Sequence, residues 1–240
     1  MIERKPVKAR SSTRCARVTA IVTAFVVIPA APTVTAEAAS CPDVQIVFAR
    51  GTFEAPGLGA VGQPFSDALI TRLPGKSIDV YPVDYPASWH FSTAADGIVD
   101  SANRIQRIVA ECPDTAIVLG GYSQGAAVAA YTVTDTVPAD YPLPPGISGP
   151  MPPEVANHIA AVVLFGKPTD GFVDLVQHGS PPIVAGALYV NKTIELCADQ
   201  DPVCVPGGTD RSAHSSYKFN GMTDQAAEFA AKEIALRNAR

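Results

Sequence analysis

Thr115-Ala116-Ile117-Val118-Leu119-Gly120-Gly121-Tyr122-Ser123-Gln124-Gly125-Ala126-Ala127-Val128-Ala129-Ala130 is the stretch on which the reading of this chain turns. It opens with a short apolar run of the kind that lies buried in a parallel sheet, Thr115 to Leu119. It closes with an alanine-rich segment that reads as a helix from Ser123 to Asp135. Between them Gly121 and Gly125 stand two residues to either side of Ser123. A turn made directly from strand to helix forces its central residue into a strained backbone conformation. Side chains two residues away would crowd it, and glycine removes them. The serine hydroxyl is then held at the carboxyl end of the strand, faced by the free amides and positive dipole end of the new helix. G-x-S-x-G alone is a common glycine-rich turn. The strand before it and the helix after it point instead to a nucleophile.

Outward from Ser123, apolar strands alternate with amphipathic helices. Val44 to Ala49 is a strand ending at Arg50-Gly51, and Gly62 to Leu73 a helix stopped by Pro74-Gly75. Ser77 to Val83 reads as a second strand. Ser92 caps a helix running to Cys112, with Ile98, Ala102, Ile105 and Val109 on its inner face. Pro138 to Pro153 is a surface loop, Ile159 to Phe165 a strand, and Leu188 to Leu196 carries the last strand. Met222 to Arg237 is a terminal helix capped by Thr223, with Ala226, Phe229, Ala230 and Ile234 facing in. Strands that alternate with helices build a mainly parallel sheet between helical layers, with ligands at the carboxyl ends of the strands. The fold class is α/β.

The chain has 240 residues and a net charge of −5, with apolar residues at 47% and charged ones at 17%, enough for one folded domain with a core. Its start reads as a leader. Six Lys/Arg precede Val18 to Ile28, an apolar run too short to span a bilayer as a helix, and Ala36-Glu37-Ala38 fits a cleavage site. The expectation is a signal peptide over 1–38, a single domain over 39–240, and export without stable membrane insertion. An uncleaved anchor is the rival reading. Without residues 1–38 the chain holds 12 basic and 21 acidic side chains, a formal net of −9. That charge disfavours nucleic acid and anionic membrane as partners. A monomer is expected.

Cys41, Cys112, Cys197 and Cys204 lie beyond the leader and allow three disulfide connectivities. Cys197 and Cys204 form the natural local pair, which leaves Cys41 with Cys112 across a loop worth about 4 kcal/mol in the chain-entropy model. The Cys-x6-Cys spacing argues against zinc. No metal and no cofactor is expected.

For the base, the order serine, acid, histidine leaves His178 and His214. His90 precedes the serine, and His158 sits just before a strand. His214 lies in a polar loop between the last strand and the terminal helix, where it can fold over the strand ends. The acids before it are Asp170, Asp174, Glu195, Asp199, Asp201 and Asp210. Asp199 and Asp201 lie inside the Cys197–Cys204 loop, whose closure would fix an acid that must orient an imidazole. Asp201, before Pro202, is preferred, with Asp199 in reserve.

Phe48-Ala49-Arg50-Gly51-Thr52, Gly120-Gly121-Tyr122-Ser123-Gln124-Gly125, Cys197-x-x-x-Asp201-Pro202-Val203-Cys204 and Ala213-His214-x-Ser216-Tyr217 together resemble the cutinase family, particularly the cutinase-like proteins of mycobacteria and related actinobacteria. The resemblance runs from about Cys41 to the terminal helix. It implies a small α/β-hydrolase, a three-layer sandwich around a central sheet of five mainly parallel strands. It implies catalytic Ser123, Asp201 and His214 and so selects Asp201 over Asp199. It implies disulfides Cys41–Cys112 and Cys197–Cys204. It also implies an oxyanion hole from the backbone amides of Thr52 and Gln124, with the Thr52 hydroxyl as a further donor. Fungal members often carry serine where Thr52 stands. The expected activity is that of a secreted serine esterase on carboxylic esters of short to medium acyl chains. A lipase, phospholipase or thioesterase, an acyltransferase, and a non-catalytic secreted binding protein are the alternatives.

Overall fold

The computed structural model describes residues 41–137, 139 and 142–239. The expected leader over 1–38, its cleavage site, and Pro138, Asp140 and Tyr141 of the proline-rich loop lie outside the described residues.

Five strands form one sheet: β1 (Val44–Ala49), β2 (Ile78–Pro82), β3 (Ala116–Tyr122), β4 (Ile159–Phe165) and β5 (Thr193–Leu196). The order is β2-β1-β3-β4-β5, and every neighbouring pair is parallel. All of β1 and β4 is buried, as continuous apolar runs require in a sheet covered on both faces. Side chains alternate between two cores. Val47, Ala49, Ile117, Leu119, Val162 and Leu164 meet α2 (Ala94–Glu111) and α3 (Gln124–Thr132). Ile46, Phe48, Val118, Val163 and Phe165 meet α1 (Gly59–Arg72) and α5 (Met222–Asn238). The chain winds from β1 outward to β2, then crosses back to β3 and winds the other way. The switch in winding therefore falls between β1 and β3, where open α/β sheets gather ligands.

The strands match the sequence reading closely, and the helix ends depart from it. α1 starts at Gly59 rather than Gly62, with Pro64 inside, because the Glu54 carboxylate accepts from the Ala60 amide at 2.7 Å and satisfies an earlier turn. Ser92 is not a cap. It lies in a short 3-10 turn, Phe91–Thr93, and the Thr93 hydroxyl donates to the His90 carbonyl instead. Thr223 is not a cap either. α5 begins at Met222, whose amide is taken by Asn220 Oδ1 at 3.0 Å. α3 stops at Thr132, and the Asp135 carboxylate binds the Ala187 amide. Only Thr193–Leu196 of the expected last strand pairs, since Val190–Lys192 is a 3-10 turn. A further helix, α4 (Asp170–Val176), was not foreseen. Thr169 caps it, accepting from Phe172 N at 3.2 Å.

The α1/α5 core is tightly filled. Phe48, fully buried, stands between Phe65 and Phe165 with ring centroids 5.9 and 6.3 Å away. A Cβ on Gly62 would come within 2.5 and 2.6 Å of the Phe48 ring. In an open helix Gly→Ala gains up to about 1 kcal/mol, whereas overpacking a filled core costs about 1–3 kcal/mol. Gly62→Ala is therefore expected to lower the urea midpoint. An unchanged or raised midpoint would contradict this packing.

Candidate active site

Ser123 lies between β3 and α3 with φ 55° and ψ −117°, a strained conformation for a non-glycine residue. Its amide donates to the Phe165 carbonyl at 2.9 Å, tying the turn to β4. Both flanking glycines are required by contact. A Cβ on Gly121 would overlap the carbonyl of Gly125, and a Cβ on Gly125 would overlap the carbonyl of Ala49. The first turn of α3 thus presses on the end of β1, so the segment after β1 lies beside the serine.

His214 Nε2 is 2.9 Å from Ser123 Oγ, and His214 Nδ1 is 2.8 Å from Asp201 Oδ2. With Nδ1–H donated to an ionised carboxylate, Nε2 is left as the acceptor. Gly166, at φ +55°, follows β4, and a Cβ there would sit 3.2 Å from His214 Cε1. The Tyr122 ring lies 5.1 Å from the imidazole, and its hydroxyl donates to the His214 carbonyl. Burial, then the charges of Glu54 and Asp201, push the Tyr122 phenol well above its ordinary value, so it remains a donor.

Asp201 is fully buried. Burial alone would raise its carboxyl. Hydrogen bonds from His214, Tyr217 and the Val203 amide outweigh that and hold it below the ordinary carboxylate value. Tyr217 donates to Oδ2 at 2.6 Å and accepts from the Ala198 amide at 3.0 Å, while Val203 N donates to Oδ1 at 2.9 Å. The loop is closed by the Cys197–Cys204 disulfide, and Cys41 is bonded to Cys112.

Thr52 sits in the turn after β1. Arg50, almost wholly buried, donates to the carbonyls of Glu54 at 2.8 Å and Tyr85 at 2.6 Å. The Glu54 carboxylate accepts from Gly51 N at 2.6 Å as well as from Ala60 N. Gln124 is buried at the N-terminus of α3.

The remaining candidates stand elsewhere. Asp199 is exposed, as are Asp174 and His178, which pair with each other at 3.0 Å. Glu195 pairs with Lys167, Asp210 binds Ser212, and His158 contacts the Pro113 carbonyl at the amino end of the sheet. Among the described residues no three His, Cys, Asp or Glu gather as a metal site. Sequence reasoning assigned no part to Arg50, Glu54 or Tyr217. A charged Arg50 directly after a fully apolar strand was the available signal.

The cutinase family profile matches residues 40–234. The chain belongs to the cutinase family. It is a carboxylic ester hydrolase with the α/β-hydrolase fold. It is 48% identical over 200 residues to the carboxylesterase Culp1 of Mycobacterium tuberculosis, covering 83% of this chain and 85% of that one. It is 46% identical to the phospholipase Culp4 of the same organism, covering 82% and 80%. Among solved structures it resembles the Trichoderma reesei cutinase with a bound phosphonate inhibitor, at TM-score 0.58 and 31% identity, covering 81% of this chain and 77% of that chain.

Within this cutinase-family site, Tyr217 supplies a clean test. Tyr217→Phe keeps the ring but removes a hydroxyl that serves both Asp201 and the Ala198 amide, at a cost of about 2 kcal/mol. Because the Asp201 carboxyl is lowered on folding, its stabilisation is full above the ordinary carboxylate value and is lost as pH falls through the lowered one. The stability gap between wild type and variant should be widest near neutrality and shrink below about pH 4. Urea titrations across that range measure it, and a gap that does not vary with pH would refute the assigned role.

Proposed function

We infer that this chain is a secreted serine esterase that hydrolyses carboxylic esters of short to medium acyl chains. Ser123 is the nucleophile, His214 the base and Asp201 the orienting acid. The observation that carries this is the unbroken contact from Ser123 Oγ to His214 to Asp201, at 2.9 and 2.8 Å, on a serine with φ 55°.

His214 Nε2 takes the Ser123 proton as Oγ attacks the ester carbonyl carbon. The amides of Thr52 and Gln124 receive the oxyanion, and loss of one such donor costs about 3 kcal/mol of barrier. Collapse breaks the ester C–O bond, and the alcohol leaves with the proton from His214. Water then attacks the acyl-enzyme and gives a proton to the same nitrogen. Release of the acid returns that proton to Ser123. Asp201 stabilises the imidazolium in both halves. Arg50 and Glu54 hold the turn that carries Thr52.

Residues 1–38 act as a leader removed near Ala38, and 39–240 form the single exported domain. Two disulfides support an oxidising destination. No helix among the described residues is long and apolar enough to cross a membrane. A second reading, a phospholipase, is favoured by the Culp4 likeness and by Phe53 and Trp89. These two rings are largely exposed and stack at 6.4 Å next to Thr52. Activity on a phospholipid above that on simple esters would select it.

Ser123→Ala should lower kcat/KM on p-nitrophenyl butyrate by about 10⁴-fold or more while leaving thermal unfolding unchanged. Substantial turnover by the variant would refute the triad.

A further inference from the structure

The sequence pattern on α2 puts Ile98, Ala102, Ile105 and Val109 along one stripe. The core takes a rotated set, since Gly97, Ser101, Ile105 and Ile108 are the buried residues. Ile98 and Ala102 are left half-buried, and they line a cavity of about 320 Å³. The opposite wall is α3. Gln124, Ala127 and Tyr131 line the cavity from one helical face, at i, i+3 and i+7. Gln124 is the residue after Ser123. The face therefore begins at the nucleophile and runs away from it for seven residues, about 10 Å of helix at 1.5 Å per residue. Leu143 and Ile147 roof the space, and Val173 and Ile183 close its far side.

No carboxylate, ammonium, guanidinium or imidazole lines the cavity among the described residues. A charged ligand would find no opposite charge there, and burying it without one would be costly. A neutral chain would bring apolar surface out of water. At about 30 Å³ per water-sized group, the space holds about ten heavy atoms. Gln124 guards the end next to Ser123. Its Nε2 donates to the Ser88 carbonyl at 3.0 Å, and its Oε1 is buried without a partner. With one side-chain hydrogen bond to release, this carboxamide is the point where a chain can enter.

We propose that this cavity binds the acyl chain of the ester held at Ser123, up to about ten carbons. It is filled along the Gln124-Ala127-Tyr131 face of α3 and under the loop 142–152. The proposal rests on the triad reading above and adds to it the acyl specificity of the same site. The alcohol part is left outside, beside Phe53 and Trp89.

The test is a chain-length series. The kcat/KM ratio of p-nitrophenyl decanoate to p-nitrophenyl butyrate is measured for wild type and Ala102→Phe. The new ring would fill the space between α2 and the roof. The decanoate/butyrate ratio should fall about tenfold or more, the order that hydrophobic pockets show for a lost fit. Circular dichroism checks that the variant folds. Should it not, Ala95→Phe, about two helical turns nearer the start of α2 on the same wall, takes its place. An unchanged ratio in a folded variant, including equal loss on both esters, overturns the proposal. The Ser123→Ala control separates the two readings. If it still hydrolyses butyrate, the triad fails first. If it is inert and the ratio does not move, the acyl site alone is wrong.

Discussion

The structure depends on a close approach of three backbone segments around Ser123. The first turn of α3 meets the Ala49 carbonyl at the end of β1 through Gly125, and Gly121 meets Gly125 across the turn. Neither contact leaves room for a side chain. The Ser123 backbone, at φ 55°, is held at a cost of about 1–3 kcal/mol that the surrounding structure must offset. It does so through the Ser123 amide on Phe165 and through the Ala126 and Ala127 amides on the Ser123 carbonyl. Ser123 is thus tied to β1, β3 and β4 at once, at the place where the winding of the sheet reverses. This is why the carbonyl of Arg50, far earlier in the chain, comes beside Gly125.

The acid side of the site follows a different logic, because a carboxylate buried without partners would be far costlier than a strained turn. Asp201 is fully enclosed, and each of its oxygens accepts a hydrogen bond. One of these donors, Tyr217, is also a core residue. Its ring lies 6.2 Å from Phe165 and 5.7 Å from Tyr122, and the Tyr122 hydroxyl in turn holds the backbone of His214. Aromatic packing therefore sets the imidazole in place, and the charge network and the α1/α5 core are one object. The disulfide closing 197–204 adds a covalent limit on the same loop.

Much of this was legible in the residues. The strands were, because a segment buried on both faces must be apolar throughout, and Ile159–Phe165 is read to the residue. The positions of Ser123, Asp201 and His214 were legible from a strained-turn motif, a disulfide loop and chain order, helped by the family resemblance. The helix starts were not. They are set by acceptors reached through folding, such as Glu54 on the Ala60 amide, rather than by the nearest Ser or Thr. α4 escaped because it is seven residues long with one buried side chain, Val173, too short for a periodic pattern. Arg50 offered a signal, a charge directly after an apolar strand, but not its role, since its acceptors at Val83 and Tyr85 are more than thirty residues away.

The two faces of the sheet are finished to different standards. On the α1/α5 face three phenylalanines interlock, and glycine is needed even for a helix to approach. On the α2/α3 face alanines dominate the central helix, and small side chains on α3 bring it near the strands while leaving its outer flank unfilled. The covering segment there, 142–152, is rich in proline and glycine, which supply few side chains long enough to fill a gap and few backbone donors for regular structure. A cavity on that side is the expected consequence, and its lining includes Gln124, the first residue of α3.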